Sequence, residues 1–121
     1  MRTTQAPLFA PETEWVMPDE LKDLTHYKEI AVDLETYDPD LTVSGSGNVV
    51  GNGHIAGVAL AVEGWSGYFP IGHENGGNMD TTLVFSWLRD LFKDENKTFI
   101  FHNAMYDVCW LRSNGMHIAG K

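Results

Sequence analysis

"IAVDLETYDP" occupies Ile30 to Pro39. Side chains alternate across a strand, so Ile30, Val32 and Leu34 share one face and Ala31, Asp33 and Glu35 share the other. The first set is a core face. The second starts small and turns acidic toward the strand's end. Two carboxylates at i and i+2 lie roughly 6.5–7 Å apart at Cα by strand rise. Left alone they repel, and burying them is costly. A divalent ion between them removes both objections, and an oxygen-only ligand set suits a hard cation such as Mg²⁺ or Mn²⁺. The same ten letters also allow a plain alternative, an exposed strand end carrying solvated acids.

The sequence on either side predicts a mixed sheet covered by helices. Residues 1–17 carry Pro7 and Pro11 without periodicity and read as an extended arm, with Phe9, Trp15 and Val16 free to lie on the body. Pro18 suits the first turn of a short helix through Leu24. The arm and helix make up residues 1–25, and residues 26–121 form the body. Glu29 to Thr36 is the first strand. Gly45, Gly47, Gly51 and Gly53 mark a flexible connection. His54 to Glu63 and Trp65 to Ile71 form an antiparallel hairpin broken at Gly64. Asp80 is a predicted N-cap. Leu83, Val84, Trp87, Leu88 and Leu91 then recur at helical spacing. Lys97 to His102 is a fourth strand. Asn103 opens a second helix ending near Ser113, with Asn114-Gly115 as its stop. The order is three meandering strands, then helix, strand, helix.

"HNAMYDVCWL" (His102 to Leu111) supplies the second half of a candidate site. Asn103 and Asp107 are four apart and share a helical face. Ala104, Val108 and Leu111 form the opposing apolar stripe. If the short strand "TFIF" lies beside the first strand, Asp107 comes near the Asp33/Glu35 end. Three acids around one spot would form a metal-site constellation. For Asn103 taken alone, a helix cap is the simpler reading.

Totals limit the function classes. The chain has 121 residues, 43% of them apolar, enough for one domain with a core. Eight basic against 17 acidic residues give a net charge of −9. Such a body repels nucleic acid non-specifically, so any nucleic-acid chemistry needs a local reversal of sign. The single cysteine, Cys109, excludes an internal disulfide and suggests a reducing, cytoplasmic compartment. No apolar run is long enough to span a membrane, and no signal peptide opens the chain.

"AVDLET" followed by "HNAMYDVCWL" resembles the 3′–5′ exonuclease (proofreading) domain of family A DNA polymerases, within the ribonuclease-H-like DEDD superfamily. "GYFPIGHE" (Gly67 to Glu74) and "WVMPDELKDL" (Trp15 to Leu24) are similar to the same domain in phage-type polymerases. The resemblance covers nearly everything from Trp15 onward. It implies a ribonuclease-H-like fold and a two-metal mechanism with Mg²⁺ or Mn²⁺. Asp33 and Glu35 would hold one ion, and Asp33 and Asp107 would serve the other. Leu34 and Thr36 match positions that contact the terminal nucleotide. Asn103 and Tyr106 match positions that line the strand's path. The implied substrate is the single-stranded 3′ end of DNA. The implied partner is a polymerase domain, following in the same chain or separately encoded, in a bacterial or phage-infected cell. The family's third motif, Tyr-x-x-x-Asp, has no counterpart here, because no Asp, Glu or Tyr follows Asp107. The resemblance thus implies the N-terminal part of such a domain, lacking its C-terminal part, with weak or no catalysis alone and an exposed sheet edge.

Other features carry less. "SGSGNVVGNG" (Ser44 to Gly53) lacks the Lys-Ser/Thr of a phosphate loop and reads as a plain loop. The five histidines show no zinc-site spacing. Cys109 lies mid-helix with no evident activating base. Trp87, Trp110, Phe99 and Phe101 read as packing residues. Two alternatives stand beside the proofreading exonuclease: an exoribonuclease of the same superfamily, and a non-catalytic nucleic-acid-binding or assembly module that keeps the acids.

Overall fold

A computed structural model describes residues 20–74 and 76–119 of the chain. The predicted arm, and Pro18 and Asp19 of the predicted Pro18–Leu24 helix, lie outside the described residues. β1 (Glu29–Tyr37) carries the opening stretch. Two single helical turns follow, α1 (Leu41–Ser44) and α2 (Gly47–Val50), where the sequence suggested only a flexible connection. β2 (His54–Val62) and β3 (Trp65–Pro70) form the expected hairpin. Then come α3 (Thr81–Phe92), β4 (Thr98–Phe101) and α4 (Ala104–Ser113). The chain is mixed α/β, and its sheet order is β3-β2-β1-β4. β1 pairs antiparallel with β2 and parallel with β4. "TFIF" is therefore beside the first strand, as the site reading required, and lies at the edge of the described sheet.

The alternation in β1 sets the two faces. Ile30 and Val32 are buried with Val58, Leu60, Phe69 and Phe99 from the neighbouring strands. α3 covers this side with Val84, Leu88, Leu91 and Phe92, and α4 adds Trp110 and Leu111 to the same cluster. Aromatic edges lock the layers, with Phe69–Trp87 and Phe92–Phe99 ring centroids each 5.0 Å apart. Asp80 caps α3 through the backbone N–H groups of Thr82 and Leu83. Leu83, counted in the apolar stripe from spacing, is instead exposed. Gly115, at φ 82°, ends α4 as foreseen. On the opposite side, Glu29, Ala31, Asp33, Glu35, Ser66 and Ile100 are exposed, and no described helix covers them.

The predicted helix up to Leu24 is absent over the described residues 20–24. The carbonyls from Leu24 onward have another use. Lys97, buried at 4% exposure, donates its ammonium to the carbonyl oxygens of Leu24 (3.0 Å), Thr25 (2.9 Å) and Tyr27 (2.6 Å). Three acceptors converging on one cation fix a turn where a helix would have pointed those carbonyls along its axis. Lys97→Met keeps the apolar stem and removes the charge. Charge-assisted bonds of this kind are worth enough that the change should cost about 2 kcal/mol, lowering the thermal midpoint by roughly 10 °C. A circular-dichroism melt checks this, and a shift of only a degree or two would show that the ammonium adds no net stability.

Candidate metal-binding site

β4 ends opposite Val32, where Phe101 is the last residue of the parallel pair. The next β1 backbone N–H on that side, from Leu34, has no strand to bond. α4 starts within three residues of β4's end, and its first turn brings Asp107 there. The Asp107 carboxylate accepts the Leu34 N–H. This explains a correction to the helical-wheel reading. Asp107 was expected on a solvent-facing side opposite Ala104, yet it is 2% exposed while Ala104 is exposed. The side of α4 that faces the end of β1 is the side carrying the acid.

Asp107 is buried without full compensation. Among the described residues its Oδ2 has no hydrogen-bond partner. Burial pushes its pKa up to about 6, the Leu34 N–H opposes that shift, the Asp33 charge adds to it, and His102 opposes it. Asp33 is thus near enough for the two carboxylates to repel each other. A buried carboxylate oxygen without a donor, facing a second carboxylate, is an arrangement that a cation would stabilise.

Glu35 is placed differently. It shares the open face with Asp33, and a bulge in the β1–β2 pairing falls immediately after it, between Glu35 and Thr36. Ala56 is the extra residue, and its carbonyl accepts the N–H groups of Ile71 and Gly72, both at 2.9 Å. Bulges re-aim neighbouring side chains. The Glu35 carboxylate accepts from the Tyr68 hydroxyl at 2.7 Å. Among the described residues, no three His, Cys, Asp or Glu side chains lie close enough to hold a metal ion as they stand. The predicted Asp33–Glu35–Asp107 constellation is therefore met by one interacting pair, with Glu35 turned toward β3.

The remaining predicted residues separate into two groups. Leu34 is half-buried and packs against the core cluster. Asn103 is exposed at the N-cap position of α4 and makes no side-chain cap. Thr36 and Tyr106 meet each other: their hydroxyls are 2.9 Å apart, and Tyr106 donates to Asp38 Oδ2 at 2.7 Å. The Tyr106 proton is thus committed to Asp38, and the Thr36 hydroxyl donates to the tyrosine oxygen. Burial first, and then this donation to Asp38, raise the Tyr106 pKa. Asp38 also accepts the Gly47 N–H at 3.0 and 3.1 Å, so this network ties α4 to the α1–α2 connection. Sequence reasoning missed Asp38 and Tyr68. Nothing local in the sequence pairs Asp38 with Tyr106, which lies 68 residues later.

Asp33, Tyr68 and His102 border a shallow groove of about 850 Å³ on the open sheet face, floored by Ala31, Ala59 and Ala61. Asp33 makes one border of this groove acidic, so an anionic ligand there would be repelled unless a cation offset the charge.

No protein-family model matches the chain. The chain is similar to part of a phage DNA polymerase. It is 38% identical over 122 residues to a DNA-directed DNA polymerase of Pseudomonas phage M6, a match covering 96% of this chain and 18% of that protein. The chain thus spans less than a fifth of that relative's length, and the match runs through both acidic segments. No helix among the described residues is long and apolar enough to cross a membrane.

Proposed function

We propose that the chain is part of a ribonuclease-H-like 3′–5′ exonuclease domain of a phage-type DNA polymerase, acting on a single-stranded 3′ end of DNA in the cytoplasm of an infected bacterial cell. The observation that carries this reading is the buried Asp107 carboxylate, with its unpartnered Oδ2, set against Asp33 at the mouth of the sheet-face groove. The mixed sheet with parallel β1 and β4 supports the fold assignment, and the polymerase relative supports the context. Asp33 and Asp107 would hold a divalent ion, with Glu35 as the further carboxylate on the same face. Mg²⁺ or Mn²⁺ bound there would activate water and offset phosphate charge. The protein's own contribution is to hold those acids against their mutual repulsion and to keep Asp107 dry. Leu34 and Thr36 lie on the same strand, where a terminal nucleotide would be placed.

The absence of a three-ligand cluster among the described residues favours, as a second reading, a binding or assembly module without turnover. One assay separates them. The 121-residue chain, and a longer product carrying the C-terminal part that this reading implies, are given 3′-labelled single-stranded DNA, and RNA in parallel, with Mn²⁺ or with EDTA. The exonuclease reading expects Mn²⁺-dependent release of nucleoside monophosphates from DNA by the longer product. Digestion of RNA alone would make it an exoribonuclease, and binding without release from either would support the module.

A further inference from the structure

Glu35 is held from a distance of two strands. Tyr68, on β3, donates its hydroxyl to Glu35 Oε1 at 2.7 Å, although β2 lies between them. The crossing is possible because Glu35 pairs with Gly57 in the β1–β2 register. A side chain on β2 there would block the path: a Cβ at position 57 would collide with the Tyr68 hydroxyl and ring. Glycine inside a strand commonly marks such a close approach.

The far end of the phenol is also fixed. His73 Nε2 lies 2.5 Å from the Tyr68 hydroxyl, and the two rings meet edge to face. The tyrosine proton goes to Glu35, so the imidazole supplies the hydrogen in its own bond. Asn78 holds the backbone of His73 on both sides, accepting its N–H at 2.8 Å and donating to its carbonyl at 2.9 Å. The chain Asn78–His73–Tyr68–Glu35 runs from a loop across three strands to one carboxylate oxygen. The His73–Glu35 contact, at 3.7 Å, falls on that same Oε1.

We propose that Tyr68 and His73 are positioning residues for Glu35, reaching it through the gap at Gly57, and that they fix Oε1 so that Oε2 serves as the cation ligand. This rests on reading Asp33, Glu35 and Asp107 as a divalent-cation site. Without support, a 59% exposed glutamate side chain on a strand samples many rotamers. The three acids do not converge as they stand, so with Oε1 held the carboxylate has only to turn about that bond to bring Oε2 toward Asp33 when a cation binds. Hydrogen-bonded carboxylate ligands generally lose ten- to a hundredfold in metal affinity when that support is removed.

The test is a titration of the 121-residue chain with Mn²⁺, read by loss of the free-Mn²⁺ electron paramagnetic resonance signal. Tyr68→Phe is expected to weaken binding roughly tenfold. Gly57→Ala, which leaves Tyr68 and Glu35 chemically intact, should weaken it similarly, and the double variant should be no worse than either single one. His73→Gln, which keeps an N–H donor, should retain more affinity than His73→Ala. Ser66→Ala, on the same strand and open face, should bind as wild type. Wild-type affinity in both Tyr68→Phe and Gly57→Ala would overturn the positioning role while leaving the cation site in place, provided Asp33→Ala loses binding. No Mn²⁺ binding by the wild-type chain would overturn both.

Discussion

Asp33→Ala is expected to abolish metal-dependent cleavage of DNA by the longer product, with a loss on the order of 10³-fold or more, equivalent to about 4 kcal/mol of transition-state stabilisation. The reason is geometric. Among the described residues, Asp33 is the acid placed to serve both halves of the site, since it shares a strand face with Glu35 and its charge acts on Asp107. Removing Glu35 would leave the Asp33–Asp107 pair, and removing Asp107 would leave the two acids of β1. Removing Asp33 leaves two carboxylates with no acid between them. The same variant should fold at least as stably without metal, because a repulsive charge has gone. Gel assays on 3′-labelled DNA measure the first effect, and thermal melts in EDTA measure the second. Retention of wild-type cleavage by Asp33→Ala would remove the basis for the nuclease assignment.

Asp107→Asn should act in the same direction on stability and more strongly, making the metal-free protein more stable at neutral pH. The folded-state pKa of about 6 lies above the ordinary value near 3.8. The native state therefore holds this proton more tightly than the unfolded chain does. Wild-type stability falls as pH rises through the window from about 4 to 6, and the cost of the ionised group is complete above it. The difference between the two pKa values sets an upper limit of about 3 kcal/mol, and solvent screening brings the expectation to about 1–2 kcal/mol. An amide at this position cannot ionise, can still accept the Leu34 N–H, and can donate toward Asp33. The variant should melt roughly 5–10 °C higher than wild type at pH 7.5 and about the same at pH 4. Added Mn²⁺ should narrow or reverse the difference, since only the wild type gains from the ion. An unchanged melting temperature at pH 7.5 would mean that the buried carboxylate is not under electrostatic stress.

The strands were legible in the sequence because alternation is a local signal. Ile30, Val32, Asp33 and Glu35 fall on the predicted faces, the β2–β3 hairpin follows from its break at Gly64, and α3 follows from its periodicity and the Asp80 cap, while α4 was legible in its end at Asn114-Gly115 but not in a side-chain cap. Asp107 was not placed correctly by its own helix. Ala104, Val108 and Leu111 suggested an apolar stripe opposite the acid, but the burial of α4 is set by where β4 stops and by the free N–H of Leu34. The Lys97 turn could not be read either, because its three acceptors lie about 70 residues earlier in the chain. Tyr68 and Glu35 stand 33 residues apart and meet only because β2 is bare at Gly57. That glycine, in an otherwise β-branched and apolar strand, was the one visible clue. The α1–α2 connection misled for a related reason. Its glycines suggested flexibility, whereas Asp38 and Tyr106 tie it to α4 from outside.

The direct test of the central claim, that Asp33 and Asp107 jointly hold a divalent ion, is the thermal midpoint of the 121-residue chain with and without Mn²⁺ at pH 7.5, for wild type, Asp33→Ala and Asp107→Asn. Binding at a hundredfold excess over Kd stabilises a fold by about 2.7 kcal/mol. The wild type should therefore gain roughly 10 °C, and neither variant should gain more than a degree or two. An equal rise in all three proteins, or none in the wild type, would contradict the account.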